Sequence, residues 1–229
     1  MNRRQKKLEK KRAKRDKAKK KARAALARKP SADALLLGAA SHAPFDLCYL
    51  STGWNNEDEP ELVTAVVTRR LPDQYLVAGI ALVDRTCLGI KDAYFDGPMS
   101  EDDLEDYLAQ VGQAHGGVDT CSLDTVQSVV FHAIDYARKL GFEPHKDFPE
   151  KLFGPRPETL ADTPWAAEER PLYVMGLRDD VDWVLRKLNA SVGPENYDVV
   201  DPMEELEEEE DEDVIEAEVV EKPPEVGRP

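Results

Sequence analysis

The stretch that most limits how this chain can fold runs from Gln74 to Phe95, QYLVAGIALVDRTCLGIKDAYF. Side chains alternate across a strand, so Leu76, Ala78, Ile80 and Leu82 face one way and Val77, Gly79, Ala81 and Val83 the other. Both sets are apolar, which specifies a central strand covered on both faces. Upstream, Leu62 to Leu71 (LVTAVVTRRL) is rich in β-branched residues and reads as a neighbouring strand, joined through a turn at Pro72-Asp73. Downstream, Asp84-Arg85-Thr86 turns the chain and Cys87 to Phe95 returns, giving an antiparallel meander with short connections. Asp46 to Ser51 (DLCYLS) is a further strand candidate, followed by a polar loop from Gly53 to Glu61.

Helices follow the strands. Gly97-Pro98 is expected to break the sheet. Ser100 then precedes Glu101, Asp102 and Asp103, an N-cap with acids in the first turn, and this helix should run to about Val111. A second begins after Ser122 and stops before Gly141, with Leu123, Val126, Val130, Ala133, Ala137 and Leu140 on one face. Phe142 to Trp165 reads as an irregular wrapping segment with a turn near Lys151. Leu172 to Met175 is an extra strand, Asp179 or Asp180 caps a helix through Leu188, and Tyr197 to Val200 closes the domain. Strands followed by helices indicate an α+β fold: a small antiparallel meander sheet carrying two or three helices on one face. The expected domain spans residues 44–200. It is preceded by a disordered basic arm and small-residue linker (1–43) and followed by a disordered acidic tail (201–229).

Charge is segregated along the chain. Residues 1–29 hold 16 Lys/Arg and 2 Asp/Glu, or +14, and residues 201–229 hold 2 and 14, or −12. That leaves 13 basic and 30 acidic residues in the body, −17, for an overall −15. The arm has only Leu8 and Leu26 as sizeable apolar residues, so it has no seam along which to pack. A block of one sign contacts phosphates without reading sequence. Arg3, Arg4, Lys10, Lys11, Arg12, Lys19, Lys20 and Lys21 are therefore expected to act as an interchangeable patch on RNA, DNA or ribosomes. The plainer reading is a solvated tail neutralised by the chain's own acidic end. The acidic tail would take a basic protein partner, and its VIEAEVV piece (Val214 to Val220) could add as a strand to a partner's sheet. Its composition otherwise fits an unfolded segment.

The cysteines Cys48, Cys87 and Cys121 are odd in number and form no close pair, which fits reduced thiols and a cytosolic setting. No apolar run reaches the roughly 18 residues of a membrane span. The basic start is not followed by an apolar signal core, so a secretory signal is not expected.

RRLPDQ, LVDRTCLGIKDAYF and YARKLGFEPHKDF together resemble an uncharacterised family of bacterial proteins with LVD…CLG-KDA and GFEPH-DF patterns. The resemblance spans about Pro44 to Val200 and leaves out both charged ends. It implies a bacterial cytosolic protein in which Gln74 to Phe148 forms one unit, and it carries no activity.

Asp84, Asp92, His145 and Asp147 are the residues that could supply chemistry. Acids gathered on a sheet can hold Mg2+ for phosphodiester hydrolysis, and VDRTCLG resembles the first acidic strand of ribonuclease H-like nucleases over seven residues. Against this, Asp84 is more simply a turn residue, and Asp135 falls off the apolar face of its helix. His115, Cys121, His132 and His145 lack the close pairing of zinc ligands. Cys87 is expected to be a packed thiol despite its neighbour Arg85, and His132 with Asp135 a surface pair. GFEPHKDF reads first as a loop clamp anchored by Phe142 and Phe148, then as a site at His145 and Asp147. The leading expectation is thus a non-enzymatic, cytosolic interaction protein without a cofactor. The alternative is a Mg2+-dependent nuclease-like hydrolase using Asp84, Asp92, His145 and Asp147.

Overall fold

The computed structural model describes residues 31–56, 62–162 and 170–201, together with Lys14, Arg15, Lys17 and Lys19. The remaining arm residues and the acidic tail lie outside the described residues, as do the expectations of disorder placed on them. Lys14, Arg15, Lys17 and Lys19 are helical and exposed.

Five strands form an antiparallel sheet in the order β4-β3-β2-β1-β5. They are β1 (Phe45–Ser51), β2 (Leu62–Arg70), β3 (Leu76–Asp84), β4 (Gly89–Met99) and β5 (Val118–Cys121). β3 has a partner on each side: Val83 opposes Val63 on β2 and Ile90 on β4. Its two sets of apolar residues enter two separate cores, as their alternation requires. Val77, Ala81 and Val83 join one core with Val126, Val129, Val130 and Ala133. Leu76, Ala78 and Ile80 join another with Leu104 and Leu108.

That division corrects the expectation that the helices share one face. Helix α2 (Glu101–His115) covers the second face through Leu104 and Leu108, and helix α3 (Leu123–Lys139) covers the first. Burying a valine or leucine fully is worth about 1.5–3 kcal/mol, so covering both faces of β3 stabilises the sheet at its centre. α2 starts with a capping box. Ser100 accepts from Asp103 N at 3.1 Å, and the Asp103 carboxylate accepts from Ser100 N at 2.9 Å. α3 is capped by Ser122, which accepts from Thr125 N at 3.1 Å.

Three further departures have local causes. Residues 31–43 form more than a linker: α1 (Ala32–Ala40) is capped by Ser31 and sets Leu36, Leu37 and buried Ala40 against the first core. Gly97-Pro98, a cis peptide, does not end β4, because Leu76 still pairs with Met99 beyond it. β4 is an edge strand, where the N–H that proline lacks has no partner to lose. Finally β5, which pairs with β1 and sets Cys121 opposite Cys48, has no sequence signal beyond four residues.

Gly89 begins β4 at φ +72°, where a Cβ would lie 2.7 Å from Ala137 Cβ and 3.0 Å from the Ala133 carbonyl oxygen. The turn after β3 therefore approaches α3 as closely as backbone allows. Beyond α3, the short α4 (Glu150–Phe153) is tied to the sheet by buried Arg69. Its Nε donates to Leu152 O at 3.0 Å and its NH1 to Ala43 O at 2.9 Å, while its guanidinium stacks 3.2 Å above the Phe45 ring. β6 (Leu172–Val174) and β7 (Asp198–Val200) pair in parallel as a separate small sheet. With α5 (Val181–Ser191) they pack on Cys87, Ala137, Leu140 and Phe142 in a third core.

Candidate functional site

A concavity lies where β4, the loop after α3 and the segment before α5 meet. The loop after α3 follows from its sequence. Gly141 takes a left-handed φ of +87° and ends the helix. Phe142 N donates to Ala137 O at 2.9 Å, and the Phe142 ring is buried. Phe148 meets Phe153 with ring centroids 5.1 Å apart, so both expected anchors are in place. Between them, His145 N donates to Ile90 O at 3.1 Å, which lays the loop along the edge of β4.

The opposite wall is built around a mostly buried ion pair. Lys91 Nζ lies 3.0 Å from Asp179 Oδ2 and donates to Val174 O at 3.0 Å. The same carboxylate oxygen accepts from Gly176 N at 2.9 Å and Tyr173 OH at 3.1 Å. The cleft between the walls has a volume of about 800 Å³, within the usual range for ligand sites. Leu82, Leu88, Ile90 and Phe142 give it an apolar floor, and Trp183, 42% exposed, stands at its lip 5.5 Å from the Phe142 ring. Glu143 is paired with Arg138 at 3.3 Å, and the Asp180 carboxylate caps α5 by accepting from Trp183 N at 3.0 Å. Lys146 and Arg178 also line the cleft, and neither makes an ion pair with a described residue.

The four expected acid and histidine positions are only partly brought together. His145 Nδ1 lies 3.9 Å from Asp92 Oδ1, on the cleft wall. Asp147 is exposed, and its N–H points to His145 Nδ1 at 3.4 Å. Asp84 is elsewhere in character. It is 2% exposed, and its Oδ1 accepts from Thr86 N at 2.9 Å, Cys87 N at 2.8 Å and Thr86 Oγ1 at 3.2 Å. It holds the turn closed. Burial pushes its carboxyl above the ordinary range, against the pull of the Leu88, Cys87 and Thr86 N–H groups and Lys91. Among the described residues, no group of three or more His, Cys, Asp or Glu side chains is placed to hold a metal ion. The geometry therefore offers Mg2+ no ligand set there. Asp135 pairs with Arg156 on the outer side of α3.

The thiols are placed for packing. Burial pushes Cys48 up to about 11, against the pull of Arg69, and Cys121 up to about 12. Burial raises Cys87 as well, with Asp84 adding to the effect. A thiol raised this far is a poor nucleophile at neutral pH.

Of the eight arm positions, Lys19 is helical and exposed, and the other seven lie outside the described residues. The sequence patterns do not single out Lys91, Lys146, Arg178 or Trp183, and they mark Asp179 only as a helix-cap candidate. They also leave Arg69 unremarked, although the alternation that turns Ala65 and Val67 inward does the same to Arg69. Among the described residues, no helix is long and apolar enough to cross a membrane. No family model, curated protein or solved structure matches the chain.

Proposed function

We propose that this is a non-enzymatic interaction protein of the cytosol, whose basic N-terminal arm holds nucleic acid, as RNA, DNA or the ribosome surface, through its phosphates. The acidic tail competes for the same arm and limits the contact. It also gives basic proteins a place to bind.

The observation that carries this reading is the charge layout: +14 within residues 1–29, against −17 in the body. A body of that sign repels a polyanion and confines the contact to the arm. Exposure of Lys14, Arg15, Lys17 and Lys19 on a helix fits this, because their charges stand in solvent. Helical spacing puts Arg15 and Lys19 on one side, one turn apart.

The test compares the native chain with a full-length variant in which Arg3, Arg4, Lys10, Lys11, Arg12, Lys19, Lys20 and Lys21 are all changed to Gln. Fluorescence anisotropy with a mixed-sequence RNA is read at about 50 mM and about 200 mM salt. The native chain should bind at low salt and lose affinity steeply at higher salt, and the variant should bind weakly at both. Equal binding by the two proteins rules out the arm as the contact.

A further inference from the structure

We propose that the cleft between β4 and α5 is the docking site for the chain's own segment Val214–Val220, VIEAEVV. This goes beyond the arm's function and does not depend on it.

The first argument is charge complementarity. Lys91 pairs with Asp179 and Glu143 with Arg138, while Asp180 caps α5 and Asp92 lies 3.9 Å from His145 on the far wall, both still carrying their charge. Among the described residues, the cations of the lining without an ion pair are Lys146 and Arg178, beside an apolar floor. The complementary occupant is extended, apolar on one side and acidic on the other. In VIEAEVV, Ile215, Ala217 and Val219 alternate with Glu216 and Glu218. In an extended chain these fall on opposite sides. The apolar set then meets the floor and Trp183, and the two glutamates meet Lys146 and Arg178.

The second argument is where the described chain ends. Val200 O accepts from Met175 N at 2.9 Å, one residue before Gly176 of the cleft wall. The described chain therefore ends beside the strand that leads into the cleft wall. The steps from Asp201 to Val214 span at most about 45 Å when extended, so the segment reaches the cleft easily. A tether of this length gives an effective concentration near the millimolar range. A weak apolar and electrostatic contact is then enough to close. The intervening run, PMEELEEEEDED, is acidic.

The test is hydrogen–deuterium exchange on the full-length chain, at several protein concentrations. Amides of residues 214–220 should exchange about tenfold more slowly than those of residues 221–229. The protection should vanish in the double variant Lys146→Glu/Arg178→Glu, whose changes lie at the cleft rim and leave the core intact. It should also vanish in Ile215→Asp, a change outside residues 31–201, which should make Trp183 easier to quench with acrylamide. Equal exchange of the two tail segments in the native chain overturns the proposal, and so does protection that survives either variant. Protection that grows with protein concentration assigns the cleft to a second copy's tail and overturns the intramolecular form.

Discussion

Lys91 Nζ sits 3.0 Å from Asp179 Oδ2, and this contact joins the edge strand of the main sheet to the segment that starts α5. Asp179 also accepts from Gly176 N and Tyr173 OH, so one carboxylate organises a whole wall of the cleft. The pair is mostly buried, with side chains 12% and 15% exposed.

Removing one partner strands the other in a poorly solvated place. Asp179→Ala should destabilise the chain by about 3 kcal/mol, because it leaves Lys91 without its counter-charge. The double variant Lys91→Met/Asp179→Leu should recover much of that loss, since no unpaired charge remains. Urea midpoints of the native, single and double variants check this. Losses that simply add would show that the two side chains act independently.

Asp84 makes stability depend on pH. Its folded pKa is raised, chiefly by burial. The stability contributed by its neutral form is therefore fully present below the unfolded value, about 3.9, and is lost as pH rises through the folded value. Asp84→Asn keeps an oxygen to accept from Thr86 N and Cys87 N but carries no charge. Its stability relative to the native chain should increase as pH rises from about 4 to about 8. Urea unfolding across that range measures it. A difference that is flat or falls with pH would contradict the burial argument.

Two glycines separate backbone strain from packing. Gly89 and Gly116 share a φ of +72°, but a Cβ at Gly116 would meet nothing within 4 Å, whereas one at Gly89 would press on α3. Gly116→Ala should cost only the left-handed penalty, about 1 kcal/mol. Gly89→Ala should cost about 3 kcal/mol once overpacking is added. Thermal or urea denaturation of the two variants gives the comparison. Equal losses would mean that α3 is not seated tightly on the turn.

The native thiols should be inert. Cys48 and Cys121 are pushed up to about 11 and about 12 by burial, and Cys87 is raised too. An aromatic disulfide reagent at neutral pH should react at least about a hundredfold more slowly with the native chain than with the urea-unfolded one. Any one thiol reacting at the unfolded rate would reveal a nucleophile that the packing does not account for.

What was legible in the sequence was local. Ser100, Ser122 and Asp180 cap helices where their side chains and neighbours say they should, because a cap needs only three or four residues of context. β3 declared itself central through apolar residues on both sides. Yet the face that α2 covers cannot be read from its sequence. Its acids and its few apolar residues, Leu104 and Leu108 foremost, give a narrow stripe that does not say which face it covers. α1 gives little periodic signal because ADALLLGAA has no polar face to set its period, although Ser31 and Asp33 mark its start. At the site, Gly141, Phe142 and Phe148 made one wall readable. The other wall rests on Lys91 meeting Asp179, a contact between distant parts of the chain that no local pattern encodes. Asp84 drew attention as a chemical group, but three hydrogen bonds to its own turn give it a structural task.

The salt dependence of RNA binding by the full-length chain tests the central claim most directly. If the arm works through phosphates, log affinity should fall linearly with log salt, with a slope of about −0.7 for each phosphate neutralised on a single strand. The slope should be similar for unrelated RNA sequences and should shrink in the eight-residue Gln variant. Binding that is insensitive to salt, or a slope unchanged when those eight charges are removed, would contradict the account.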